Sequence, residues 1–174
     1  MHQFISAFMA SFTKTKVMKK YILLLVGICF LSCGASKTVR TSKKTIKGNW
    51  TLNMITYSES GTFNVTLLNN ASKACFENSD WQFIPNNNTG IYTISKADCA
   101  IGTRYFNFTI QEVDESTGYY DFLLKPTDDK GKSETNAGFR LRLSQLSETN
   151  MQWQQTLTVD GKPFTINMNF TKTQ

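Results

Sequence analysis

The chain has 174 residues and a formal net charge of +6, with 13 Phe, six Tyr and three Trp. Nine of its 19 basic residues precede residue 48, whereas all 13 acidic residues follow it. The segment 48–174 is therefore slightly acidic, which argues against a basic globular surface for nucleic acid. Its length, about 127 residues, suffices for one domain with a substantial core.

Residues 18–33 have the pattern of a bacterial lipoprotein signal. Two lysines precede an apolar run at 21–31, and a serine stands directly before Cys33. The run is shorter than the roughly 20 residues that a membrane-spanning helix needs. Cleavage before an acylated cysteine would remove residues 1–32, and Met18 is the natural start of such a signal.

The segment 33–47 that follows the predicted cleavage is small, polar and basic. We expect it to be a flexible tether between acylated Cys33 and a folded domain. Acyl chains such as palmitate would hold this lipoprotein in the cell envelope. The residue after Cys33, Gly34, is not acidic, so we expect sorting to the outer membrane. The alternative interpretation is an ordinary secretory signal or a short membrane anchor that ends at an unmodified Cys33.

From residue 48 onward, apolar and polar residues alternate with the period of two that places one set of side chains on one face of a strand. In the first half the apolar positions are Trp50, Leu52 and Met54; Phe63, Val65 and Leu67; Trp81 and Phe83; Tyr92 and Ile94. In the second half they are Phe106, Phe108 and Ile110; Tyr120, Phe122 and Leu124; Phe139, Leu141 and Leu143; Met151, Trp153, Leu157 and Val159; Phe164, Ile166, Met168 and Phe170.

Turn signals separate these runs. The pattern breaks at 69–76, where we expect a short helix, and an Asn-rich turn occupies 85–90. Lys125-Pro126 is expected to end a strand, and Asp160-Gly161 is a hairpin signal. Eight or nine strands joined mostly by short turns predict an antiparallel meander. An all-β, eight-stranded up-and-down barrel removes both exposed edges of that meander, and an open sandwich is the competing solution.

Gly48-Asn49-Trp50 opens the first predicted strand after a short polar lead-in. This G-x-W placement resembles the lipocalin family, and with the lipoprotein signal the chain resembles lipocalin-like lipoproteins of Bacteroidetes-type bacteria over roughly 46–174. The resemblance implies that Trp50 plugs the base of a lipocalin-like barrel at 48–174, with Gly48 allowing the chain to cross closely beneath it.

Two departures from the family pattern concern the barrel ends. The helix that usually follows the last strand is missing, and the late arginine that packs over the first-strand tryptophan has no clear equivalent. Arg140 or Arg142 is the candidate for that place, as a cation–π partner of Trp50. Thr127-Asp128 occupies the position of a Thr-Asp motif that lipocalins often carry, although two residues also make a plain turn.

Catalytic chemistry is sparse. The only histidine is His2, in the predicted signal, so the mature chain has no histidine-activated nucleophile and no histidine metal ligand. Asp114-Glu115 and Asp128-Asp129 are adjacent carboxylates in turns, a poor arrangement for acid–base catalysis or for calcium. We expect no enzymatic activity, catalytic residue, metal or cofactor.

Cys75 and Cys99 are the only remaining side-chain thiols of the mature chain. In the oxidising compartment outside the inner membrane they are predicted to form a disulfide, and two free buried cysteines are the alternative.

The lipocalin resemblance implies that the barrel interior binds a small hydrophobic molecule. The candidate lining residues are inward positions of the predicted strands: Phe106, Phe108, Phe122, Leu141, Trp153 and Phe164. The same side chains can instead fill the barrel, so the alternative is an envelope protein–protein interaction or inhibitor module without a ligand. The expected partners are a membrane, through the lipid anchor, and this ligand, without nucleic acid; the pattern leaves the oligomeric state open.

Overall fold

The structure, a computed structural model, describes residues 37–114, 119–133 and 135–173. The predicted lipidation residue Cys33 and the signal 1–32 lie outside the described residues. The helices are α1 (Lys37–Ile46) and α2 (Lys73–Phe76). The strands are β1 (Gly48–Tyr57), β2 (Thr66–Leu67), β3 (Ala71–Ser72), β4 (Ser79–Ile84), β5 (Thr89–Ile94), β6 (Gly102–Asp114), β7 (Tyr119–Thr127), β8 (Phe139–Leu146), β9 (Asn150–Val159) and β10 (Lys162–Thr173).

Eight strands form a closed antiparallel barrel in the order β1-β10-β9-β8-β7-β6-β5-β4. The first strand closes it by pairing with β10 on one side and with β4 on the other, where Trp50 lies opposite Trp81. The pair β2 and β3 forms a separate two-stranded sheet. The predicted all-β, eight-stranded up-and-down barrel is confirmed, and closure gives every barrel strand a paired neighbour on both sides.

The strand directions define two ends of the barrel. The closed end carries α1, the start of β1 and the final residues of β4, β6 and β8. The open end carries the long connection 58–78, the loop 95–101, the segments 128–133 and 135–138, and the hairpin at Asp160-Gly161.

Alternating side chains of the eight strands point inward and are almost completely buried. Aromatic rings dominate this set: Trp50, Trp81, Phe83, Tyr92, Phe106, Phe108, Phe122, Trp153 and Phe170. A Cβ on Gly90 would clash with the ring of Phe106, so glycine at this inward position makes room for a neighbouring aromatic side chain.

The prediction of a flexible tether is wrong for residues 37–46, because they form helix α1. Val39, Ser42 and Ile46 are buried on one face of this helix, which contacts β6 and β8 across the closed end. A sequence with so few apolar residues has weak helical propensity, and packing of its narrow apolar face on the barrel stabilises the helix instead. In the described part of the chain, no helix has the length and hydrophobicity needed to cross a bilayer.

A β-bulge in β1 changes the predicted alternation. The pairing with β10 shifts between Leu52 and Met54, so Ile55 points inward and Met54 is 51 % exposed. The backbone N–H of Ile55 donates to Oε1 of Glu77 at 2.8 Å. The sequence pattern alone had placed Met54 inside and Ile55 outside.

Two further predicted boundaries change. Of the expected strand at Phe63, Val65 and Leu67, only Thr66–Leu67 is a strand, and it lies outside the barrel. Pro126 does not end β7, which continues to Thr127. Proline is tolerated there because pairing of β7 with β8 stops at Leu124, so the last residues of β7 form an edge.

Trp50 is fully buried at the closed end, beneath α1. Its cation–π partner is not one of the two arginines proposed from the sequence: the ammonium of Lys172 lies 5.2 Å from the Trp50 ring centroid. Arg140 instead pairs with Asp121 at 3.1 Å, and Arg142 lies exposed on β8 opposite Gln154.

Gly48 has φ of +114°, a conformation that favours glycine where the chain turns from α1 into β1.

Candidate functional site

The middle of the barrel is filled by aromatic rings. Phe122 lies between two of them, with centroid distances of 5.0 Å to Phe108 and 4.6 Å to Trp153, both stacked. Trp81 meets Trp153 edge-on at 5.4 Å, and Phe106 lies 5.6 Å from Trp81. These spacings are those of rings in direct contact.

Five of the six residues predicted to line a cavity belong to this packed middle: Phe106, Phe108, Phe122, Leu141 and Trp153. The sixth, Phe164, lies apart at the open end, 5.3 Å from Tyr57 and 4.8 Å from Phe63. The structure therefore makes these residues packed core rather than the walls of an open cavity. A ligand in the middle of the barrel would have to displace aromatic rings.

One cavity lies at the open end, and we call it the rim pocket. Its volume is about 490 Å³, within the range of about 300–1,000 Å³ typical of small-molecule sites. Its walls are Leu68, Asn69, Asn70, Tyr92, Arg104, Tyr105, Pro126, Thr127, Asp128, Thr135, Ala137 and Phe139.

A second depression of about 380 Å³, the outer groove, lies on the outer wall of β6, β7 and β8. The outward side chains along it include Asn107, Thr109, Leu123, Lys125 and Arg140. The rim pocket is the better candidate because inward-facing positions of the strands contribute to it and its floor continues into the aromatic core. The outer groove has the exposed sheet as its floor.

Tyr92 forms the floor of the rim pocket. Its ring stacks on Trp81 at 4.5 Å and lies 5.4 Å from Phe76, so it joins the pocket to the core below. Burial raises the pKa of Tyr92 to about 12, although the positive charge of Arg104 acts in the opposite direction. The phenol is therefore neutral at physiological pH and can donate or accept one hydrogen bond at the pocket floor.

Arg104 lies beside Tyr92, because the two residues are register partners on β6 and β5. Its guanidinium donates through Nη1 to the carbonyl oxygen of Gly102 at 2.5 Å and through Nη2 to that of Ala100 at 2.6 Å. Among the described residues Arg104 forms no ion pair. It places a fixed positive charge, with N–H donors beyond the two in use, in the wall of a pocket lined by both apolar and polar side chains.

Asp128, the other charged wall residue, is engaged in its own turn. Its Oδ1 accepts backbone N–H bonds from Lys130 at 3.0 Å and from Lys132 at 2.7 Å. The carboxylate thus orders the loop after β7. In the described ranges no group of three or more His, Cys, Asp or Glu side chains could hold a metal ion.

The roof of the rim pocket comes from the connection 58–78. At the tip of the β2–β3 hairpin, Leu68 and Asn69 have φ of 49° and 51° and border the pocket. Just beyond this hairpin, the predicted disulfide is confirmed: Cys75 in α2 bonds to Cys99 in the loop before β6. Lys96 in the same loop donates to the carbonyl oxygen of Ala74 at 3.2 Å. The roof is therefore fastened to the loop that precedes Arg104.

Sequence reasoning did not single out the rim pocket. Arg104 stands two residues before Phe106 and four before Phe108, on the inward register of β6, so it is a charge on an otherwise apolar face. An arginine among inward-facing apolar residues could therefore have indicated a polar site on this strand. The contribution of the β2–β3 hairpin carries no comparable signal, because its position over the barrel depends on the disulfide and on packing.

The architecture is a closed eight-stranded up-and-down barrel with one end capped by an N-terminal helix, and lipocalins share this architecture with other barrel proteins. No protein-family model matches the chain, and no curated protein matches it. A lipocalin-like protein from Bacteroides uniformis is among solved structures similar to it, with 10% sequence identity, a TM-score of 0.47, and coverage of 74% of this chain and 99% of that chain.

Proposed function

We propose that this protein is a lipid-anchored binding protein of the bacterial cell envelope that takes a small amphipathic molecule into the rim pocket. The observation that carries the proposal is a cavity of about 490 Å³ in which apolar and polar side chains meet the Arg104 guanidinium, which has no ion-pair partner among the described residues, and the neutral phenol of Tyr92. This combination of hydrophobic surface with a few convergent polar groups is typical of small-molecule sites.

The pocket divides into an apolar and a polar part. Leu68, Pro126 and Phe139 offer hydrophobic contact to the body of a ligand. Arg104 offers charge-assisted hydrogen bonds to a carboxylate, sulfonate or phosphate group, which such a fork binds well. Since Asp128 is engaged with backbone N–H groups, the site favours an anionic head over a cationic one.

The anchor rests on the signal pattern at residues 18–33. In this proposal acylated Cys33 holds the barrel at the outer membrane, facing the periplasm or the cell surface. A single acyl chain gives only marginal membrane binding, whereas several chains on one N-terminus give stable anchoring.

The binding proposal is tested by titration with 8-anilinonaphthalene-1-sulfonate, an anionic fluorescent amphiphile. We expect one saturable site. Arg104→Gln should weaken binding about tenfold or more, since hydrogen bonds to charged groups contribute about 1.5–3 kcal/mol. Arg140→Gln, in the outer groove, is the matched control and should leave the affinity unchanged; thermal melting would verify that both variants are folded.

The filled barrel favours one second candidate, an interaction or inhibitor module whose loops contact another protein. Its supporting observation is the continuous ring packing from Phe108 through Phe122 to Trp153. The same titration separates the two proposals. Absence of any saturable site would favour the interaction module, and loss of binding in Arg140→Gln alone would move the ligand site to the outer groove.

A further inference from the structure

The outward face of α1 carries a line of positive charge, which we call the basic stripe. It consists of Lys37, Arg40 and Lys44 in the helix and Lys47 directly after it, all exposed. At 3.6 residues per turn these positions fall within an arc of about 80° on one side of the helix. The chain has no acidic residue before Glu59, so no neighbouring carboxylate in the sequence offsets this charge.

The opposite face of α1 fixes how the stripe is presented. Val39, Ser42 and Ile46 are buried against the barrel. Two other nearby cations are held by the barrel end: Lys43 donates to Oδ1 of Asn88 at 2.6 Å, and Lys172 donates to the carbonyl oxygen of Thr45 at 2.8 Å. The helix is thereby held with its basic stripe facing away from the closed end.

None of the four stripe residues is in an ion pair with a described residue; the recorded pairs are Lys73–Glu77 and Arg140–Asp121. Four like charges held on one helix face repel each other, and an external anionic surface would relieve this repulsion. Segment 48–174, by contrast, carries more acidic than basic residues, so the stripe is a local feature of the closed end.

The position of the stripe in the chain selects the partner. Only three residues lie between Cys33 and Lys37, and a fully extended chain spans at most about 14 Å over these four Cα-to-Cα steps. If Cys33 is acylated, α1 begins close to the membrane, at a distance comparable to the Debye length of about 8 Å at physiological ionic strength. Anionic lipid headgroups are then the nearest negative charges available to it.

We propose that the basic stripe docks on anionic phospholipid headgroups, which holds the closed end of the barrel against the membrane and directs the rim pocket away from it. The inference goes beyond ligand binding and takes from the proposed function only the anchor at Cys33. The strand order places α1 and the rim pocket at opposite ends of the barrel. One contact therefore both adds to anchoring and sets the side from which a ligand enters.

The test uses vesicle sedimentation without the acyl anchor. Ser36–Gln174 is one compact unit whose core is complete within it, so it can be produced without the leader. We expect it to bind vesicles of mixed phosphatidylglycerol and phosphatidylcholine at low salt, and to bind pure phosphatidylcholine vesicles far less. Each basic residue near an anionic surface raises partitioning about fivefold, so Arg40→Gln, Lys44→Gln and Lys47→Gln together should lower it about 100-fold.

The matched control replaces three exposed lysines at the open end, Lys130, Lys132 and Lys162, by Gln. It changes the net charge equally and should retain vesicle binding. An equal loss of vesicle binding in both triple variants would show that net charge alone causes binding, and this would overturn the proposal. Absence of binding to the anionic vesicles would also overturn it. The stripe variant should keep its affinity for the soluble amphiphile, so failure here is separable from failure of ligand binding.

The orientation is tested on the acylated chain in the same anionic vesicles, by amine labelling and mass spectrometry. Lys44 and Lys47 should be protected relative to detergent solution, whereas Lys130 and Lys162 should label equally in both. Protection of the open-end lysines instead would reverse the proposed orientation and overturn it.

Discussion

The indole N–H of Trp50 donates a hydrogen bond of 2.8 Å to the carbonyl oxygen of Ile46. This bond joins the last turn of α1 to the first barrel strand, and both residues are fully buried. It satisfies a carbonyl that the helix end would otherwise leave without a partner. The closed end is thus one structural unit made of a helix, a tryptophan and, above its ring, the ammonium of Lys172.

We expect Trp50→Phe to lower the free energy of unfolding by about 1 kcal/mol, because it removes the hydrogen bond and keeps most of the bulk. Trp50→Ala also opens a cavity and should cost about 3–5 kcal/mol. Denaturant unfolding measures both. Met54→Ala, at an exposed position of the same strand, is the control and should change stability by less than about 0.5 kcal/mol. Loss of probe binding with unchanged stability in Trp50→Ala would instead make Trp50 a ligand contact.

The Cys75–Cys99 disulfide joins residues 24 apart and fastens the roof of the rim pocket. The double variant Cys75→Ser and Cys99→Ser should unfold about 3 kcal/mol more easily, since the open chain gains conformational freedom. Its affinity for the amphipathic probe should also fall, because the roof is no longer tied to the loop before Arg104. Mass spectrometry of the native protein after alkylation provides the direct check: two modified thiols would contradict the bond.

The proposed lipid anchor at Cys33 is tested by a single variant in the native host. Cys33→Ala should accumulate as an unprocessed precursor and should not incorporate a fatty-acid probe, because the thiol that accepts the lipid is absent. Fractionation and metabolic labelling measure these two effects. Normal processing and membrane retention of Cys33→Ala would contradict lipidation at this position.

The buried phenol of Tyr92 predicts a loss of stability at high pH. Its pKa is about 12 in the folded protein and 10.0 for an unperturbed tyrosine, because burial disfavours the phenolate. The folded state thus holds the proton more tightly, so this contribution is complete below pH 10 and is lost as the pH rises towards 12. Two pKa units correspond to at most about 3 kcal/mol.

Unfolding of wild type and Tyr92→Phe between pH 9 and pH 12 measures this effect, with the pH limits set by the two pKa values. The variant lacks the ionisable group and should lose less stability over that interval. Burial also raises the pKa of Tyr57, so part of the alkaline loss should persist in Tyr92→Phe. Identical pH profiles for the two proteins would show that Tyr92 ionises equally easily in the folded and unfolded chains.

Local sequence patterns were sufficient to predict the barrel. The period-two alternation through Phe106, Phe108 and Ile110 marks an inward face, and short turns such as Asp160-Gly161 allow only antiparallel neighbours. Closure follows because a long meander otherwise leaves two edges. The disulfide was predictable for a simpler reason: Cys75 and Cys99 are the two cysteines that follow the predicted signal and its lipidation residue.

Features that depend on contacts distant in the sequence were not predictable in this way. Ile55 replaces Met54 on the inward face because pairing with β10, over 110 residues away, contains a bulge. Helix α1 forms because a barrel end exists for Val39 and Ile46 to pack against. Both outcomes depend on partners that a local pattern does not contain.

The sequence by itself therefore determined the eight strands of the barrel, its closure and the Cys75–Cys99 bond, since each follows from periodicity or from the count of available groups. Only the tertiary structure decided whether inward aromatic rings enclose space or fill it. Phe122 contacts Phe108 and Trp153 through ring positions that depend on all three side chains at once, so the middle is packed. The rim pocket lies instead where the strands end and the connecting loops begin, and Arg104, Tyr92 and a disulfide-held hairpin meet there because the aromatic rings already fill the centre.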